Sequence, residues 1–198
     1  MYYLKKKLFA SIVLLAIAVV AYIWFGVFNV SANDKHWAIT TSLIEIVRNR
    51  SIATRSGDIN IPDITSNELI IKGAPNYAAM CAQCHLAPGV NTSELNAGLN
   101  PQPPDLTQKS HSSHSPNETF WIIQNGIKMT GMPAWGKFHS DEQIWELVAF
   151  VNVLPKLSKS EYVSLVGDGK HTHDDVSHKN MNDKDADKSK HEHDGHLH

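Results

Sequence analysis

The sequence predicts an all-α protein, and three observations lead there. Leu8 to Phe28 is an uncharged, strongly apolar run, long enough for one membrane-crossing helix. Near the other end, Ser140-Asp141-Glu142-Gln143 has the form of a capping box and stands before Ile144, Trp145, Leu147, Val148, Phe150, Val151 and Leu154, spaced as on one helix face. Between them, little reads as a strand. Composition divides the 198 residues into an anchor over 1–33, a connecting segment over 34–66, a compact domain over 67–166 and a polar tail over 167–198. The formal net charge of −2 offers no general argument for nucleic-acid binding.

The first element follows from charge placement. No Asp, Glu, Lys or Arg occurs between Lys7 and Asp34. As a helix, Leu8–Phe28 would be about 31 Å long at ~1.5 Å per residue, enough for a hydrocarbon core of ~30 Å. Lys5, Lys6 and Lys7 put its N-terminal end in the cytoplasm by the positive-inside rule, and Trp24 suits the outer interface. Val30-Ser31-Ala32 resembles a small-residue cleavage site, so a signal peptide competes with a retained anchor. The apolar run exceeds the ~7–15 residues of a signal peptide's core, which favours the anchor. In both cases the rest of the chain is delivered across the membrane.

From His36 to about Arg55, Trp37, Ile39, Leu43, Ile44, Ile46 and Val47 suggest an amphipathic helix. The chain's only three arginines, Arg48, Arg50 and Arg55, cluster on it. They fit a solvated face near anionic lipid headgroups, or a docking surface for a carboxylate-bearing partner or cofactor. Ser56-Gly57-Asp58 and Ile61-Pro62-Asp63 then break the helix.

The compact domain is small for a self-sufficient core. Gly73 and Tyr77 are four residues apart and share a face if a helix runs through them; Pro75 makes that helix start nearby or kink. Pro116 to Asn125 reads as a short helix ended by Gly126, and Pro155 stops the last one. Between these lies Cys81-Ala82-Gln83-Cys84-His85, the C-x-x-C-H pattern of covalent c-type haem attachment. One helical turn presents both sulfurs to the haem vinyl groups, and the adjacent His85 supplies an axial nitrogen. Cys81 and Cys84 are the only cysteines. A redox-active disulfide would call for a βαβ frame that is not evident here. A four-cysteine zinc site is excluded, and a mixed one needs two well-placed histidines. A buried haem also supplies the apolar volume that so short a domain lacks.

With these motifs in order, the domain resembles a class I c-type cytochrome, of the single-haem, membrane-anchored bacterial type. The family's G-x-x-x-aromatic helix is matched by Gly73 and Tyr77, its L-x-x-aromatic helix by Leu147 and Phe150, and its methionine loop by Met132-Pro133-Ala134-Trp135-Gly136. The resemblance implies the class I cytochrome c fold, in which N- and C-terminal helices cross around one covalent haem c. Met132 and Met129 compete for the sixth iron position. Gly131 and Pro133 disfavour a regular helix at Met132, and the resemblance also selects it. Met129 then becomes a wall of the haem pocket. His111, His114 and His139 are expected to face solvent. The family's proline-rich loop packs on the histidine side, where a carbonyl can hold the ring proton; Pro101, Pro103 and Pro104 are equal candidates. A His/Met pair is an electron-transfer set that raises the reduction potential.

From Gly167 apolar residues nearly vanish, and a tail of this composition is expected to be disordered. It carries His171, His173, His178, His191, His193, His196 and His198, which can bind Cu(II), Zn(II) or Ni(II) weakly. The sequence therefore points to an electron carrier rather than an enzyme. It is expected in a bacterial inner membrane as a single-pass protein with its haem domain in the periplasm, passing single electrons between redox protein partners. An electron-relay subunit of a larger oxidoreductase and a haem or metal sensor are the alternatives.

Overall fold

The computed structural model describes residues 2–109 and 114–167, and these contain eight α-helices and no strand. The expected tail disorder, its histidines and His111 lie outside the described residues.

Helix α1, Tyr2–Trp24, takes in the three lysines as well as the apolar run, and it stops short of Phe28 where Gly26 adopts a φ of 60°. It is long and apolar enough to cross a membrane, with a mean hydropathy of 2.3, and none of its residues is buried. Helix α2, Ala38–Ser56, follows the amphipathic pattern of the connecting segment, but only Ile52 and Ser56 on it are buried.

The domain is built on two crossing helices. Helix α3, Asn67–Met80, runs unbroken through Pro75, so the proline neither starts nor ends it. Helix α7, Asp141–Val153, begins at the expected capping box, where Ser140 Oγ accepts from Gln143 N and the Gln143 side chain returns to Ser140 N. Its Ile144, Leu147, Ala149 and Phe150 are 0% exposed. The crossing is close because Gly73 has no Cβ: one built there would lie 2.7 Å from the Glu146 carbonyl carbon and 2.9 Å from Phe150 Cβ. Tyr77 rests on Phe150 with ring centroids 5.3 Å apart. The paired glycine–aromatic and leucine–aromatic motifs thus meet as the resemblance implied.

Helix α6, Pro116–Asn125, has its own capping box from Ser115 and Glu118, and Gly126 ends it with φ 64°. Its Phe120 stacks on Trp145 of α7 at 4.3 Å. Asn117 Nδ2 donates to Ser56 O at 2.9 Å, tying the end of α2 to the domain.

Helix α4, Ala82–His85, is the single turn expected at the cysteine motif, whereas α5 (Glu94–Gly98) and α8 (Lys159–Gly167) were not expected from the sequence. α8 folds back beside α3, with Tyr162, Leu165 and Val166 packed on the core and Tyr162 6.2 Å from the Phe150 ring. A capping pair announces it: Ser158 N donates to Glu161 Oε2 at 2.7 Å, and Glu161 N donates to Ser158 Oγ at 3.3 Å. Ser158-x-x-Glu161 was therefore a legible start signal.

Candidate haem site

The C-x-x-C-H motif sits where α3 gives way to α4. Cys81 is the hinge residue: its N donates to Tyr77 O at 2.9 Å, and its own carbonyl accepts from Cys84 N and His85 N at 3.0 and 2.8 Å. This tight turn keeps both cysteines and the histidine on one short stretch of backbone. Both thiols are free. Cys81 keeps part of its surface accessible, yet its sulfur is desolvated enough that burial pushes the thiol up to about 12, with Cys84 adding to the rise. It is a neutral thiol at ordinary pH, not a metal-ready thiolate.

His85 is oriented by the proline loop. Its Nδ1 lies 2.9 Å from Pro104 O. A carbonyl only accepts, so Nδ1 carries the proton and Nε2 keeps its lone pair for a metal. Burial lowers the His85 pKa and the bond to Pro104 partly opposes this, which favours the neutral, ligating imidazole. Of the three prolines, the geometry selects Pro104. Backbone bonds lock the same region: Leu106 N donates to His85 O at 3.2 Å, and Tyr77 OH to Leu86 O at 2.7 Å. Leu86 turns the chain with φ 65°.

Asn96 is the residue that sequence reasoning missed. It is 3% exposed, and its Nδ2 donates to Cys84 O at 2.7 Å and to Pro103 O at 3.1 Å. Gln102 Nε2 donates to its Oδ1 at 2.8 Å. One amide therefore fastens the attachment motif to the proline loop. Ser93 caps α5 by accepting from Asn96 N at 3.0 Å, and its hydroxyl donates to Gln83 O.

The methionine loop is clamped to α6 by glycines. A Cβ on Gly126 would meet Met132 O at 2.7 Å and Ala134 N at 2.8 Å; one on Gly136 would meet Gln124 Cγ at 2.6 Å. Thr130 bridges the turn, donating to Ile127 O at 2.8 Å and accepting from Met132 N at 3.1 Å. Met132 is half-buried against the core. Met129, expected as a wall of the haem pocket, stands at the tip of the turn with a φ of 61° and is 93% exposed. Two histidines are not fully solvent-facing. His114 is half-buried beside Glu118 at 3.3 Å, and His139 lies edge-on to Trp135 at 5.6 Å.

The donor set suits haem c. Two unpaired thiols one turn apart can form thioethers, a neutral imidazole with a free Nε2 follows them, and a thioether sulfur stands on a separately braced loop. Among the described residues, no group of three or more His, Cys, Asp or Glu is placed to hold a bare metal ion. Two of the three arginines bond within α2: Arg55 donates to Ser51 and Arg48 to Asn49.

No curated protein matches the chain. Residues 68–151 match the family model described as cytochrome c oxidase, cbb3-type, subunit III. That span starts in α3, contains C-x-x-C-H and Met132, and ends in α7, so the chain carries a c-type cytochrome domain.

Proposed function

We propose that this protein is a membrane-anchored, periplasmic, single-haem cytochrome c that passes one electron at a time between redox protein partners, with His85 and Met132 as axial ligands. The observation that carries this reading is the tautomer imposed on His85 by Pro104 O, 2.9 Å from Nδ1. Haem c, when bound, supplies reversible one-electron chemistry. The residues of this chain do the rest. Cys81 and Cys84 hold the group, Asn96 and the proline loop fix the imidazole, and Gly126, Thr130 and Gly136 fix the loop that presents Met132. An electron carrier gains from such bracing because less of the site must rearrange between charge states. The length and apolarity of α1 support retention as an anchor, and the triple lysine at its start supports a cytoplasmic N-terminus.

A second reading has a specific basis. The matched family model is described as a subunit of an oxidase, which supports a fixed relay within a larger complex rather than an independent carrier. Gentle solubilisation of native membranes followed by pull-down through the chain separates them. A stoichiometric catalytic partner establishes the relay; a single-haem protein with a reversible potential and no such partner establishes the carrier. A purified holoprotein without a reversible one-electron couple would overturn both.

A further inference from the structure

Helix α2 has two faces, and the haem domain covers only one. Arg48, Ile52 and Ser56 recur at four-residue steps; Ile52 and Ser56 are 2% and 1% exposed where α2 meets α6. Ile39, Leu43, Ile46 and Val47 recur at the first, fifth, eighth and ninth places of a second helical stripe. At about 100° per residue that stripe lies on the far side from Ile52 and Ser56. Its members are 60–77% exposed, and Trp37, just before the helix, is 77% exposed. A monomeric soluble protein rarely presents so continuous an apolar surface without a partner for it.

We infer that this stripe lies in the outer headgroup region of the same membrane that α1 crosses, so that α2 is an interfacial helix holding the haem domain against the lipid surface. Three observations select lipid as the occupant. Residues 25–37 alone join the end of α1 at Trp24 to Ala38, which tethers the start of the helix within about 45 Å of the bilayer. Of the helix's three arginines, Arg50 falls on the apolar stripe itself, three residues beyond Val47, where a long side chain can lay its methylenes along lipid and extend its guanidinium to an anionic headgroup, while the one acid of the helix, Glu45, falls on the side of Ile52. Trp37 stands at the membrane-proximal end, as an interfacial aromatic does. The opposite face, through Ile52, Ser56 and the Asn117 bond, is fixed to α6, so membrane contact on one side sets the orientation of the domain on the other.

The inference rests on the anchor reading of α1, and the test separates the two. The full chain, loaded with haem, is reconstituted in phosphatidylethanolamine/phosphatidylglycerol vesicles with a benzophenone amino acid at Leu15, Leu43, Val47 or Asn49, then irradiated. Leu15 reports the anchor, Leu43 and Val47 report the stripe, and Asn49 is an exposed position off the stripe. The expected result is a mass gain of one phospholipid at Leu15, Leu43 and Val47 and none at Asn49. Lipid at Leu15 alone overturns the interfacial helix and leaves the anchor intact. Absence of lipid at Leu15 overturns the anchor. Adducts of twice the chain mass at Leu43 would assign the stripe to a second copy, and in native membranes an adduct to a different polypeptide would assign it to a protein partner; both overturn the inference.

Discussion

On α7, apolar residues at three- and four-residue spacing lose all contact with water: Ile144, Leu147 and Phe150 are 0% exposed. On α2 the same spacing leaves Ile39 77% and Leu43 62% exposed. Both stripes have the periodicity of a helix with an apolar face. The difference lies in what each meets. α7 finds Gly73 and Tyr77 of α3, whose backbone comes so close that a single methyl at Gly73 does not fit. α2 finds α6 only along its other face. Periodicity marks a surface to be withdrawn from water, but the covering material must be identified from something else, here a complementary motif in one case and a neighbouring helix long and apolar enough to cross a membrane in the other.

The comparison predicts unequal costs. Gly73→Val forces two branched methyls into the α3–α7 crossing, an overpacking that costs about 1–3 kcal/mol or more. Leu43→Ser on the α2 stripe removes nothing that the fold packs against, and should change folding stability by no more than ~0.5 kcal/mol. Thermal melts of the two holoproteins in detergent check this. Equal destabilisation would mean that the stripe is packed within the chain after all.

A second contrast concerns two methionines three residues apart. Met132→Ala should abolish the weak far-red sulfur-to-iron band of the oxidised protein and lower its potential, because it removes a weakly donating thioether that favours Fe(II). Met129→Ala, at a 93% exposed position, should leave both unchanged. The reverse pattern would move the ligand to Met129.

The tail provides a smaller, separable effect. Ending the chain after Val166 should preserve haem incorporation and electron transfer while removing Cu(II) or Zn(II) uptake. Calorimetric titration of the two forms checks it, and uptake by the full chain should weaken below pH ~6 as imidazoles protonate. Equal uptake by both forms would place the metal elsewhere.

The smallest effect is at Glu146, half-buried beside Gly73. Burial raises its pKa, Lys72 opposes the shift, and Glu68 and Glu142 add to it. A carboxyl whose folded pKa lies above its unfolded value opposes folding when ionised. That penalty is complete above the folded pKa and fades as pH falls through it towards the unfolded value. Glu146→Gln should therefore be slightly more stable than the parent near pH 7, with the gap closing in acid. A gap constant with pH would assign the effect to packing alone.

How much of this was legible depended on how local the signal was. Capping boxes at Ser115 and Ser140, the stop at Gly126 and the C-x-x-C-H motif are set by a few adjacent side chains, and the sequence displays them. The crossing of α3 and α7 was legible through the resemblance, whose glycine–aromatic and leucine–aromatic motifs are matched by Gly73, Tyr77, Leu147 and Phe150. Pro104 could not be chosen over Pro101 or Pro103, since only the closed loop brings one carbonyl to Nδ1. Asn96 was invisible for the same reason: its partners Cys84 and Pro103 lie twelve and seven residues away, and α5 is too short to show a period. The turn at Met129 was not legible because spacing does not reveal a left-handed φ at a non-glycine residue.

Whether Cys81 and Cys84 hold one haem covalently is decided by the mass of the purified mature chain. The expected result is an increase of one haem that survives acid-acetone extraction and maps to the peptide containing Cys81–His85. Replacing either cysteine by Ala should cost one thioether link and most of the holoprotein. A mature chain of unmodified mass, or one whose two cysteines are joined to each other, would contradict it.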